Sequence, residues 1–268
     1  MTGNNIVNIR HNEIISALGS FEPLPLYKMN KVGLMNRTDI KYLFSVKKLP
    51  DLLYQLNDKY KVMEILKERS FPYTTTYLDT ADYLFYKQHI NGKLERHKIR
   101  FRKYVSSGVS YLEIKKKTNK NRTEKIRIAN RLDPEGLDQR ASQFVSDNTP
   151  YESKSLKPRV TSTFNRATLV SLETNERITI DFDLMFSNSE GKNVELPFVA
   201  IAELKRNGFS HQSPFIEVIK QAGIHPSGFS KYCMGSIYTG EVPFDSRLKP
   251  KLLLIKKLEN EYYGVADS

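Results

Sequence analysis

The stretch Lys98-Ile99-Arg100-Phe101-Arg102-Lys103-Tyr104 constrains this chain more than any other. Read as a strand, it sets Lys98, Arg100 and Arg102 on one face and Ile99 and Phe101 on the other. One face must be buried against apolar neighbours, and the other must meet water or an anion. The split recurs along the chain. Thr38–Phe44 places Asp39 and Lys41 opposite Ile40, Tyr42 and Phe44. After Ser106-Ser107-Gly108, a hairpin signal, Ser110–Lys117 aligns Glu113, Lys115 and Lys117 against Leu112 and Ile114. Thr123–Ile128 aligns Lys125 and Arg127, and Arg177–Leu184 aligns Arg177, Thr179, Asp181 and Asp183. Val199–Arg206 keeps Glu203 and Lys205 in phase. Tyr73–Asp79 and Arg159–Asn165 read as further strands, the latter with Arg159 on its polar face.

Helical spacing is confined to a few places. Leu49, Leu52, Leu53 and Leu56 follow one face, with Pro50 in the first turn. Pro134 opens a helix bearing Leu137, Ala141, Phe144 and Val145. Ser213-Pro214 opens another, closed by Gly223. Lys249–Tyr262 is a basic amphipathic helix, expected to dock on the strands. Residues 1–24 read as a loose lead-in, 25–240 as one domain, and 241–268 as a C-terminal helix and tail. About eight strands and three or four helices predict an α+β domain built on a large antiparallel sheet.

The polar faces decide what such a sheet does. An open sheet with a hydrated charged face would show this alternation. So would a sheet curled into a closed barrel, charged face inward and helices outside. Like charges at i, i+2, such as Arg100 and Arg102, stand about 7 Å apart and repel unless an anion lies between them. A closed barrel also removes edge strands. Both points favour a closed antiparallel β-barrel tunnel with flanking helices. Forty-two Lys and Arg against 30 Asp and Glu give a formal charge of +12, which suits a polyanionic partner. Carboxylates amid these cations make sense as oxygen ligands to Mn2+ or Mg2+ bridging to phosphate. Cys233 is the one cysteine of the sequence, so no internal disulfide forms. The first ten residues lack an apolar signal core, and no segment has the roughly 18 consecutive apolar residues of a membrane span. A cytoplasmic location is expected.

Seven short motifs in order resemble one family. They are Arg37-Thr-Asp39-Ile-Lys41-Tyr42, Tyr77-Leu-Asp79-Thr80, Arg100-Phe-Arg102, Leu112-Glu113-Ile-Lys115, Phe164-Asn-Arg166-Ala, Ala202-Glu203-Leu-Lys205 and Phe229-Ser230-Lys231-Tyr232. Together they resemble the VTC domain, the polyphosphate polymerase domain of the vacuolar transporter chaperone family, one of the triphosphate tunnel metalloenzymes. The resemblance implies transfer of the terminal phosphate of ATP to a growing polyphosphate. It implies phosphate contacts from Lys41, Arg100, Arg102, Lys125, Arg166, Arg177 and Lys231, with Ser230 in the same turn, and a metal on Glu203. Arg166 is out of phase with Arg159, which points to a shift or bulge in that strand.

The expected roles are as follows. Arg166, Arg177 and Lys205 act at the transferred phosphoryl group. Lys41, Arg100, Arg102, Lys115, Lys125, Arg127, Ser230 and Lys231 bind phosphate, and Glu203 and Glu113 hold Mn2+ or Mg2+. The first strand has Arg37-x-Asp39-x-Lys41 in place of the Glu-x-Glu-x-Lys of triphosphatase relatives, which moves the expectation away from hydrolysis. The resemblance reads the chain as a stand-alone version without the further domains of eukaryotic members. Expected partners are ATP and inorganic polyphosphate or triphosphate, with room for a membrane-protein partner. A tunnel triphosphatase and a non-catalytic polyphosphate-binding module are the alternatives. Nucleic acid is not expected, since the sequence shows neither a helix-turn-helix nor an aromatic RNA platform.

Overall fold

The computed structural model describes residues 3–31, 37–119, 123–131, 136–207 and 213–265. In chain order its elements are α1 (Gly3–Gly19), β1 (Glu22–Pro25), β2 (Arg37–Ser45), α2 (Leu49–Tyr54), β3 (Lys61–Glu64), β4 (Phe71–Asp79), α3 (Leu84–Ile90), β5 (Arg96–Tyr104), β6 (Val109–Lys117), β7 (Thr123–Ala129), α4 (Gln139–Asn148), β8 (Lys157–Ser171), β9 (Glu176–Asn188), β10 (Asn193–Leu196), β11 (Val199–Asn207), α5 (Pro214–Gln221), α6 (Lys231–Tyr238) and α7 (Lys249–Tyr263). The α+β class and the large antiparallel sheet are as the sequence predicts.

The strands run in the order β2-β11-β9-β8-β4-β5-β6-β7, with β10 on β9, β3 on β8 and β1 parallel to β3. No pairing joins β2 to β7 among the described residues, so the sheet is open. This corrects the expected closed barrel. The outer edge at β7 is Thr123-Glu124-Lys125-Ile126-Arg127, and its charged residues disfavour pairing with another strand. The sheet still wraps a common space. Asp39 and Lys41 of β2 line the same cavity as Lys125 and Arg127 of β7.

Burial on the outer face holds this shape. Ile99, Phe101, Leu112 and Ile114 of β5 and β6 pack with Phe85 of α3 and with Ala141 and Val145 of α4. The larger core joins α1, α2, α5, α6 and α7 to the remaining strands. The lead-in of residues 1–24, expected to be loose, instead holds α1, whose Ile14, Ala17 and Leu18 are buried. Pro134 lies outside the described residues. The helix it was expected to open begins at Gln139, where the Asp138 carboxylate accepts the Ala141 amide at 2.7 Å. Helix α7 docks on β2 and β11 through Ile255, Leu258 and Tyr262.

Two irregularities set the phase of the cavity wall. Between β4 and β8, Tyr77 faces Val160 while Leu78 faces Pro158, which leaves Arg159 as the extra residue of a β-bulge. Its guanidinium turns away, donating to the Thr80 carbonyl at 3.1 Å and lying 4.7 Å from the centre of the Tyr83 ring. The predicted phase of this strand is therefore corrected: Arg166 points into the cavity and Arg159 does not. Between β8 and β9, Thr163 faces Met185 and Asn165 faces Phe182, so β9 carries the extra residue. Asp183 has a φ of 54° there. Its carboxylate lies 2.8 Å from His11 Nδ1 and accepts from Asn165 at 2.8 Å, off the face that carries Asp181.

Candidate functional site

The curled sheet encloses a cavity of about 910 Å3 lined by thirteen lysines and arginines and by three carboxylates. Alternation on β5 supplies Lys98, Arg100 and Arg102, while β6 and β7 add Lys115, Lys125 and Arg127. The facing wall carries Lys41 of β2, Arg166 of β8, Arg177 and Asp181 of β9, and Glu203 and Lys205 of β11. Ser230 and Lys231 enter from the start of α6.

Asp181 and Glu203 on the wall and Glu113 beneath it organise the cations, each shared between two. Arg166 grips Asp181 in a fork, Nε to Oδ1 at 2.5 Å and a terminal nitrogen to Oδ2 at 2.8 Å, and Lys231 pairs with the same carboxylate. Arg100 donates to Glu113 Oε2 at 2.8 and 2.6 Å, and Lys125 holds the other oxygen. Glu203 bridges Lys41, at 2.5 Å, and Lys205. Burial alone would raise the carboxyl pKa values, but the paired cations outweigh it. Glu113 is held down to about 2, and Asp181 and Glu203 lie well below the usual range. Forked charge-assisted bonds of this kind fix guanidinium planes as well as charge.

Other cations have no carboxylate clamp. Arg102 donates to Thr75 Oγ1 at 3.3 Å and sits 5.8 Å from the Tyr73 ring centre. Lys98 donates to Ser230 Oγ at 3.4 Å. Arg127 lies 4.4 Å over Tyr111. Lys115 has no hydrogen bond or ion pair among the described residues. Burial, then Arg100, Arg102 and Lys98, push its pKa down to about 6. Such a cluster is tolerable only beside water or an anion.

A buried scaffold sets the α6 end. The fully buried Asp79 carboxylate accepts the amides of Thr80, Phe85 and Tyr86 at 2.8 to 2.9 Å. It also accepts Tyr232 Oη at 2.5 Å. This ties the start of α3 to α6, whose first residue is Lys231. Ser230 Oγ caps α6 by accepting the Cys233 amide at 3.4 Å.

The expected site residues thus converge. Arg166, Arg177, Lys205, Lys41, Arg100, Arg102, Lys115, Lys125, Arg127, Ser230, Lys231 and Glu203 all line one cavity. Glu113 lies beneath it, fully buried between Arg100 and Lys125. In that position it orients both cations. Lys98, His89 and Lys117 also line the cavity without having been singled out for the site. For Lys98 the signal was its shared face with Arg100. His89 sits on α3, a helix the periodicity reading did not find.

For a divalent metal, Glu203 fits by chemistry and exposure. It is a hard oxygen donor with a side chain 20% exposed on the cavity. No three His, Cys, Asp or Glu side chains converge among the described residues. Glu203 would hold such an ion with phosphate and water supplying further oxygens, as is common for Mg2+.

No curated protein matches the sequence. Among solved structures, a candidate adenylate cyclase from Vibrio parahaemolyticus aligns at 13% identity and a TM-score of 0.47, over 76% of this chain and 100% of that one. One from Bacillus halodurans aligns at 16% and 0.43, over 81% and 98%. A candidate adenylyl cyclase from Hippeastrum, described as having a dominant triphosphatase activity, aligns at 14% and 0.42, over 75% and 95%. The VTC domain model matches residues 36–239, most of the chain, and the protein belongs to the VTC domain family.

Proposed function

We propose that this protein is a metal-dependent polyphosphate polymerase, transferring the terminal phosphoryl group of ATP to a growing polyphosphate inside the basic cavity. Family membership supports an enzyme of the triphosphate tunnel type. The observation that carries the reading is the cavity lining, in which cations from strands at both ends of the sheet face one space.

Phosphoryl transfer needs little from a protein beyond in-line positioning and charge neutralisation. Lys41, Arg100, Arg102, Lys115, Lys125, Arg127, Ser230 and Lys231 bind the phosphates. Arg166, Arg177 and Lys205 neutralise charge at the transferred group. A terminal phosphate oxygen of the acceptor attacks the γ-phosphorus. The bond to the β,γ-bridging oxygen breaks, and ADP leaves with that oxygen. No side-chain nucleophile is used. Glu203 would hold Mn2+ or Mg2+, which offsets charge on phosphate oxygens when bound.

The pairing of Asp181 and of Glu203 with two cations each limits the donors for a second metal, and this supports transfer over hydrolysis. Incubation with ATP and Mn2+, resolved on a polyacrylamide gel, is expected to give long polymer. Orthophosphate without polymer would make the protein a tunnel triphosphatase. Binding of polyphosphate with neither product would make it a non-catalytic module.

A further inference from the structure

The two free edges of the sheet are finished in different ways. One edge of β2 is paired with β11. On its other edge the Ser227 amide donates to the Lys41 carbonyl at 2.7 Å, and Pro226 bridges to Tyr42. Lys251 of α7 donates to Ser227 Oγ at 2.5 Å and so pins this segment in place. The middle of the β2 edge is therefore taken, and β7 could pair there only by displacing a segment that α7 holds. Among the described residues β7 pairs only with β6, and residues 123–127 are all exposed. Deep in the wall, Arg100 and Arg102 are buried, whereas the side chains of Lys41 and Lys125 are 35% and 34% exposed. Exposure thus rises from β5 toward β7, and the cavity opens to solvent along its side, between β2 and β7.

A phosphate chain can enter a closed tunnel only by an end, whereas a slot admits any stretch of it. We propose that the cavity is loaded from the side, through the gap between β2 and β7, and so binds the interior of a long polyphosphate whose two ends are blocked as well as it binds a chain with free ends. The inference rests on the proposed reading of the cavity as a polyphosphate site, and it adds a class of ligand to that reading. The margins of the gap suit this entry. Lys41 is anchored to Glu203 on one lip and Lys125 to Glu113 on the other, with Arg127 two residues further on, so cations stand on both sides. A chain laid along the gap meets these cations first and Arg100 and Arg102 behind them. The nine residues of β5 span about 30 Å. The wall therefore grips only part of a long chain, and the rest stays in solvent at either end. A product chain leaves by the same route at any length, without unthreading. A blocked chain has no terminal oxygen with which to attack, so it occupies the site without accepting a phosphoryl group.

The test uses a polyphosphate several times longer than β5 that carries biotin at both ends, with and without streptavidin, a stopper too wide to pass through the cavity. Each form is titrated against a fluorescent tripolyphosphate bound to the full chain, so that only binding in the cavity is read. The stoppered chain is expected to displace the tripolyphosphate within about threefold of the concentration the open chain needs. A loss of more than about tenfold on stoppering would show entry by an end and overturn the proposal. So would a stoppered chain that binds the protein without displacing tripolyphosphate, since it would lie outside the cavity. In a second measurement streptavidin is added after the chain has bound, and the complex is washed at high salt. Side entry predicts release of the protein; retention of the protein on the stoppered chain would show that it is threaded, and would overturn the proposal. Displacement by the stoppered chain in a protein that makes no polymer from ATP would remove the polymerase reading and leave side entry standing. Failure of both chains to displace tripolyphosphate would remove the two together.

Discussion

Lys115 shows how far the cavity bends ordinary side-chain chemistry. It sits among Arg100, Arg102 and Lys98, and burial together with these like charges brings its pKa from 10.5 down to about 6. A lysine whose folded pKa lies below its unfolded value binds fewer protons in the folded state. Between about pH 6 and 10.5 the unfolded chain therefore holds a proton that the folded chain lacks, and stability rises with pH across that window. The cost of burying Lys115 is full below pH 6 and vanishes toward 10.5. Lys115→Met, similar in length and uncharged, is expected to raise the melting temperature at pH 6 and to converge on the unaltered protein near pH 10. Melting curves collected across pH by differential scanning fluorimetry check this. The same substitution should weaken tripolyphosphate binding. That pairing of higher stability with lower affinity separates a ligand-binding lysine from a structural one.

At the scale of elements, helix α6 links the outer core to the cavity. Gly235 lies where α6 crosses the sheet. A Cβ there would come within 2.6 Å of Val160 and 2.8 Å of Phe186. Gly235→Ala gains helix propensity worth about 1 kcal/mol but overpacks the contact, at a cost of about 1–3 kcal/mol. The expected outcome in urea unfolding is a net loss, together with weaker phosphate binding through displaced Ser230 and Lys231. Alternation made the wall of β5, β6 and β7 legible in the sequence, because the period of a strand is fixed and those strands are regular. The same logic misplaced Arg159 and Asp183, since a bulge adds a residue to one strand and no local pattern announces it. Helix α1 escaped because Ile14, Ala17 and Leu18 are few among polar neighbours. Helix α3 escaped because the device that starts it is no standard cap: the Asp79 carboxylate reaches amides six and seven residues on, and Tyr83 takes a left-handed conformation. Closure of the sheet was not legible either, because it depends on whether two edges distant in sequence meet.

For the whole molecule the charge distribution makes one sharp demand. The formal +12 is not spread evenly, since thirteen cations and three carboxylates line one cavity, with Glu113 beneath. Repulsion within such a space is relieved by a polyanion small enough to enter, so binding should be strongly linked to folding. At a tripolyphosphate concentration one hundred times its dissociation constant, linkage adds about 2.7 kcal/mol. For a chain of this length that raises the melting temperature by about 5 °C, taking about 2.1 cal/mol/K per residue for the unfolding entropy. Duplex DNA presents its phosphates on a rigid outer surface and cannot place them among Arg100, Arg102 and Asp181-bound Arg166, which are buried behind the sheet. It is expected to shift the melting temperature by less than about 1 °C at equal phosphate concentration in about 0.15 M salt, where the Debye length is only about 8 Å. An equal shift with DNA would place the functional charge on the outside of the molecule and remove the cavity as the seat of polyanion binding.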